Sequence, residues 1–232
     1  MALPRYLICN ADDFGVSTGV NHGIIECHRH GLVTSASLMV ARPGTAEAVD
    51  LAREHPALSV GLHWDGGGEG QPEIDLDDPA AVRDEFQSQL DRFQLLLGRP
   101  PTHVDSESHA HRSDALFPLF QELTEPLGVP LRGDGRVRFE GGFYGQWVPG
   151  VTDLRHVSVR ALRRMLREEV GPGWTEFSCH PGYCTPDHWS PYWSEREAEV
   201  RTLTDPRVRA AVDELGICLA SYADFLAGGP RA

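Results

Sequence analysis

The chain has 232 residues, and its 21 Lys+Arg against 34 Asp+Glu give a formal net charge of −13. No basic run is present to track a phosphate backbone, which argues against a nucleic-acid partner. No apolar stretch reaches the roughly eighteen residues of a transmembrane segment, and the opening MALPRYLICNADDFG lacks the basic flank, apolar run and cleavage site of a signal peptide, so a cytoplasmic protein is expected.

Apolar, β-branched or aromatic runs at 6–9, 36–40, 58–63, 102–106, 137–139, 174–179 and 217–220 read as about seven strands. Amphipathic stretches at 16–30, 44–54, 79–97, 114–127, 158–170 and 195–215 lie between them and read as helices. Strand and helix alternate throughout, which predicts a parallel sheet with helical crossovers, in one domain spanning 1–232. Periodicity alone leaves an incomplete barrel and an open doubly wound sheet both standing; the chemistry at the strand ends favours a distorted TIM-barrel-like (β/α) barrel. Loops at 65–78, 133–153 and 181–191 all follow strands and should gather over one face.

The five cysteines form no C-x-x-C pair, which fits a reducing compartment. Cys179 and Cys184 flank His180 but read as small apolar filler rather than ligands. Isolated histidines at 22, 28, 30, 55, 156 and 188 read as hydrogen-bonded surface or core residues.

Chemistry-bearing residues concentrate where the apolar strands stop: Asp12-Asp13 after YLICNA, His63 after LSVGL, DSESHAH at 105–111 after THV, and His180 after EFSC. In a parallel barrel those ends share one rim, so the groups should converge. Adjacent carboxylates repel unless a cation or hydrogen-bond donors intervene. A divalent metal at Asp12-Asp13 would let one ligate while the other takes a proton from water; an Asx-type cap of the following helix would explain one aspartate but not both. In the fourth strand an extended backbone would send Asp105 and Glu107 to one face, with His109 and His111 in a loop able to curl over the site. Buried imidazoles at His63 and His180 need a partner for each ring nitrogen.

The segments NADDFG, VNHGIIECHRHGLVTSASLMV, VGLH, PTHVDSESHAH, SCHPGY and LASYADF, in this order, resemble the YdjC family of carbohydrate deacetylases over nearly the whole chain. The resemblance implies a TIM-barrel-like hydrolase that uses one divalent metal to remove an N-acetyl group from an amino sugar or glycoconjugate. Position by position it implies Asp12 as general base, Asp13 and His63 as metal ligands, and His180 as general acid. Relatives carry histidine directly after the Asp-Ser of the fourth strand, where this chain has Glu107. With Glu107 as third ligand the site is oxygen-rich and suits Mg or Mn better than Zn; alternatively His109 turns in and Glu107 stands behind it. Asp105 and His111 are expected to support the ligands. Arg132 is expected to orient Asp12 or hold substrate. Trp64, Tyr144, Trp147 and Tyr183, with Phe143, Trp189 and Trp193, lie on or beside rim loops where sugar rings stack.

The short acidic loop WDGGGEGQPEIDLDD after His63 departs from the family's longer segment and leaves the acceptor open. Two other functions share these residues: a metal-dependent phosphoesterase or amidohydrolase, which would hold two metals, and a sugar-binding homologue inactivated at Glu107. A homodimer is compatible with all three.

Overall fold

The structure, a computed structural model, describes residues 3–67, 73–185 and 190–230. Seven parallel strands form one sheet: β1 (Arg5–Phe14), β2 (Ser35–Leu38), β3 (Ser59–Trp64), β4 (Val104–Ser106), β5 (Arg138–Glu140), β6 (Gly173–Cys179) and β7 (Ile217–Leu219). The order along the sheet is β4-β3-β2-β1-β6-β5, with β7 also on β1, and the result is the expected distorted (β/α) barrel. β1 holds it together. Its first residues, Arg5 to Leu7, pair with β7, its last, Asn10 to Phe14, with β2, and β6 runs along the other edge from Arg5 to Ala11.

Strands buried on both faces read as continuous apolar runs, and Leu7, Ile8, Val60, Leu62 and Val104 are fully buried. Beyond β4 the chain returns at Leu131, which bridges Val104 in parallel, and this extra rung carries Arg132. Gly61 in β3 is required by close packing. A Cβ there would lie 2.4 Å from the ring of His103, the residue that leads into the neighbouring β4.

The helices begin where the sequence offers caps. Ser17 caps α1 (Thr18–His30), Asp78 followed by Pro79 caps α3 (Pro79–Leu97), and Ser158 caps α5 (Val159–Glu168). The intervening α2 covers Thr45–Glu54, and α4 covers Phe117–Thr124, shorter than the expected 114–127 because the chain tightens into a 3-10 turn at Glu125–Leu127.

Two expectations change. The stretch 195–215 is not one helix but two, α6 (Trp193–Leu203) and α7 (Pro206–Glu214), because Asp205 accepts from the Arg207 amide as an N-cap and Pro206 cannot continue α6. The final LASYADF contributes a short helix, α8 (Tyr222–Leu226), opened by a capping box between Ser221 and Asp224. No helix among the described residues is long and apolar enough to cross a membrane.

Candidate functional site

Asp12 and Asp13 fall inside β1, not after it. Between Ala11 and Phe14 the strand carries one residue more than β2 opposite, and Asp13 takes a left-handed φ of 69°. Such a bulge re-aims side chains, so neighbours that a regular strand would send to opposite faces both line one cleft.

Asp12 is buried and gripped by Arg132, whose Nη1 and Nη2 donate to its two carboxylate oxygens at 2.7 Å each. Asn10 Nδ2 donates to Oδ1 at 2.8 Å. Burial would raise the Asp12 pKa, but the guanidinium outweighs it and holds the carboxyl below its usual range. Arg132 also reaches Asp105 Oδ2 at 2.7 Å and Glu176 Oε1 at 2.6 Å, and Tyr222 donates to the other Glu176 oxygen at 2.7 Å.

His63 stands at the centre of a second group. Its Nδ1 lies 2.7 Å from Asp105 Oδ1, and since a carboxylate only accepts, Nδ1 carries the proton. Nε2 then faces Glu107 Oε2 at 3.4 Å and Asp13 Oδ1 at 3.5 Å. Burial would lower the pKa of this ring, yet Asp105, Asp13 and Glu107 together raise it well above the ordinary value. The surroundings therefore favour positive charge beside Nε2, which a proton or a divalent cation supplies.

The ligand atoms of Asp13, His63 and Glu107 all lie within 4.8 Å of one another, as do those of Asp12, His63 and Asp105. Only the first group fits a metal. In the second, Arg132 already spans both aspartates and His63 Nδ1 is committed to Asp105. One imidazole and two carboxylates make a hard donor set.

The cleft above these groups measures about 770 Å³ and is roofed by the segments around 139–147 and 190–196. His180 stands on its wall with Nε2 3.9 Å from Asp12 Oδ2, while its Nδ1 is buried without a hydrogen-bond partner. Tyr144 stacks on Tyr192 at 4.8 Å, and both rings meet His180 edge-on at 5.7 and 5.8 Å. Trp147 lines the outer cleft. His109 lines it too, in a left-handed backbone of φ 53° that follows Ser108 at 50°, but its ring is outside the ligand group and packs on Phe139.

Three substrate-contact expectations are corrected. Arg132 is fully buried beneath Asp12 and does not reach the cleft. Trp64 is also fully buried, because side chains alternate along a strand: His63 turns inward, so Trp64 turns out to meet Phe120 edge-on at 5.1 Å. Tyr183 lies off the cleft, donating to Glu26 at 2.6 Å. Trp189 lies outside the described residues. His111 does not touch the ligand group; it links Ser106 Oγ, at 2.6 Å, to the Arg132 carbonyl, at 3.0 Å, and so steadies the rung that carries the arginine.

Sequence reasoning missed Arg196 and Glu199 on α6. Arg196 Nη2 donates to Asp13 Oδ2 at 2.5 Å and Nη1 to the His180 carbonyl at 3.3 Å. Burial raises the Asp13 pKa, but Arg196 and His63 reverse this and hold it well below the usual range. Glu199 accepts from the His180 amide at 2.5 Å and from Tyr192 Oη at 2.9 Å, and burial pushes its pKa up to about 7.

A profile of YdjC-like proteins matches residues 6–214, which span every group named in the cleft. The chain belongs to the YdjC-like family. Among similar relatives, this YdjC-like protein is 32% identical to a chitooligosaccharide deacetylase of Serratia marcescens, over 96% of this chain and 100% of the relative. It is 35% identical to a carbohydrate deacetylase of Geobacillus stearothermophilus, over 96% and 99% of the two chains. Its structure superposes on that of a provisionally named cellobiose-phosphate cleavage protein of Enterococcus faecalis V583 with a TM-score of 0.81, at 26% identity over 96% and 99% of the chains. A family 4 carbohydrate esterase of Streptomyces lividans, in complex with acetate, shares the fold at a TM-score of 0.58 and 13% identity, over 94% and 93% of the chains.

Proposed function

We propose that this YdjC-like protein is a metal-dependent N-deacetylase that hydrolyses the acetamide of an amino sugar or glycoconjugate to acetate and a free amine. The observation that carries the reading is the meeting, in one cleft, of a hard donor triad (Asp13, His63, Glu107) with a carboxylate and an imidazole that share a short gap (Asp12, His180). Relatives at this level of identity bear the names of carbohydrate deacetylases. A phosphoesterase working with two ions would need a second triad, and Arg132 fills the place it would take.

Asp13, His63 and Glu107 would hold the divalent cation; Mg or Mn suits these donors better than Zn. When bound, it supplies Lewis acidity to the amide carbonyl and the attacking water. Asp12, kept ionised and pinned in direction by Arg132, takes the proton from that water. His180 protonates the departing nitrogen as the C–N bond breaks. Its carbonyl and amide are fixed by Arg196 and Glu199, and its ring is set by the edge-on contacts of Tyr144 and Tyr192. Tyr144 and Trp147 offer flat faces on which a sugar ring stacks. All five cysteines are free, which supports a reducing, cytoplasmic setting.

The test is acetate release from N-acetylated chitooligosaccharides with and without chelator, across several divalent ions. Asp12→Asn and His180→Ala should each lower turnover by about 10²- to 10⁴-fold with sugar binding retained. Absence of acetate with every ion, or turnover indifferent to chelator, would overturn the reading.

A further inference from the structure

His180 is aimed differently from His63. His63 has its Nδ1 held by Asp105 at 2.7 Å, the usual way of orienting an imidazole through its second nitrogen. Nδ1 of His180 is buried with no hydrogen-bond partner among the described residues, while Nε2 stands 3.9 Å from Asp12 Oδ2. The direction of this ring therefore depends on its backbone and on the tyrosine edges beside it.

Both lead to α6. Tyr192 stands at the start of that helix and Glu199 lies seven residues on, so two turns bring them to one face. Glu199 is fully buried, and its oxygens accept from two neutral donors: Oε2 from the His180 amide at 2.5 Å and Oε1 from the Tyr192 hydroxyl at 2.9 Å. Burying a carboxylate among neutral donors is unfavourable, and an apolar residue would fill this helix face at lower cost. What a carboxylate supplies, and an amide or a hydroxyl does not, is a pair of acceptor oxygens, one for each donor.

The Tyr192 hydroxyl, its proton turned to Glu199, accepts in its turn from Gly145 N at 2.6 Å. A Cβ at Gly145 would lie 2.6 Å from Glu195 Cγ, so glycine lets the roof backbone come this close. An unbroken line of hydrogen bonds thus joins the roof at Gly145 to the His180 backbone. The Tyr192 ring, part of that line, also meets the His180 ring edge-on at 5.8 Å.

We infer that Tyr192 and Glu199 are positioning residues for His180: hydroxyl and carboxylate tie it to the roof so that its ring meets the departing nitrogen. The inference rests on the deacetylase reading and deepens it. Cleavage of the C–N bond must put a proton on nitrogen, whereas p-nitrophenolate leaves an acetate ester as the anion. The pair should therefore govern amide hydrolysis and have little effect on that ester.

The experiment is a double-mutant cycle on the full chain at pH 8 with Mn, with an N-acetylated chitooligosaccharide and p-nitrophenyl acetate as substrates. It compares Tyr192→Phe, His180→Ala and the double variant. Phenylalanine keeps the ring and removes the tether. Tyr192→Phe should lower kcat and kcat/KM for the amide together by about 10- to 100-fold, the scale of a catalytic group displaced by about 1 Å. Chelator-sensitive ester hydrolysis and calorimetric Mn binding should be retained. Glu199→Gln, left with one acceptor oxygen for two donors, should show the same selective loss. The double variant should be no slower than His180→Ala, since both changes act through one imidazole. Full amide turnover by Tyr192→Phe, equal losses on amide and ester, or additive losses in the double variant would overturn the inference and leave the deacetylase reading standing. Absence of acetate even from the unmodified protein would overturn that reading, and the inference with it.

Discussion

Arg132→Met removes the guanidinium that joins three buried carboxylates, and its cost can be worked from the contacts. Arg132 makes bonds of 2.7 Å to each oxygen of Asp12, 2.7 Å to Asp105 and 2.6 Å to Glu176, with all four side chains essentially inaccessible. Methionine keeps much of the volume and none of the charge. Stripping the partner from a buried ion pair costs about 3–5 kcal/mol, a large share of the roughly 5–15 kcal/mol that holds a domain folded. Urea melts should show the midpoint falling accordingly. The pH dependence supplies a second check. In the unmodified protein Asp12 and Asp105 have depressed pKa values, against burial and because of Arg132, so their stabilisation is present above the unfolded value of 3.8 and is lost on acidification. Without Arg132 burial prevails, the same carboxyls prefer to be protonated, and the variant gains stability as pH falls. The gap between the two proteins should therefore narrow from pH 8 towards pH 5. A loss under about 1 kcal/mol, or a gap that widens on acidification, would refute this account.

Glu199 has a folded-state pKa raised by burial to about 7 from an ordinary 4.5, so the folded protein binds the extra proton between those values and loses stability as pH rises through them, by up to about 3 kcal/mol. Glu199→Gln, which mimics the protonated form, should gain on the unmodified protein in thermal melts from pH 5 to pH 8, and a constant difference would contradict the assignment. Arg196→Met should weaken Mn binding about 10- to 100-fold in calorimetry by freeing the Asp13 oxygen it holds, with Arg196→Lys recovering part of the loss. Thiol titration of the native protein should count Cys184 and Cys218 only, with the buried Cys9, Cys27 and Cys179 appearing on unfolding; early labelling of a third thiol would show that the barrel opens there.

The strands were legible because burial on both faces leaves unbroken apolar runs, and the rim was legible because charged residues interrupt those runs where no turn demands them. The β1 bulge was not: nothing local in ICNADDF signals an extra residue, which emerges only from the register against β2. Arg196 lies in EREAEVR, whose charges read as a solvated helix face, and only the docking of α6 onto α1 brings its guanidinium to Asp13. Trp64 shows the opposite error, an aromatic beside a loop taken as accessible when strand alternation sends it into the helical layer. The division of 195–215 was written in Asp205-Pro206, a cap followed by a residue that favours a first turn. Asp105 and Glu107 were expected to share a face; they approach opposite nitrogens of His63, because the strand ends at Ser106 and the next residue begins a turn.

The left-handed backbone at Asp13 restricts what can ever stand there. Most side chains are disfavoured at a φ of 69°; asparagine and aspartate are the common exceptions apart from glycine. Asparagine would keep the bend and forfeit the charge, glycine would keep the bend and forfeit the donor, and glutamate would keep the charge at the expense of the bend. Position 13 therefore has a single occupant that satisfies both demands, whereas the roof segments, bound by no such double constraint, are free to diverge and refit the same floor to other acceptors.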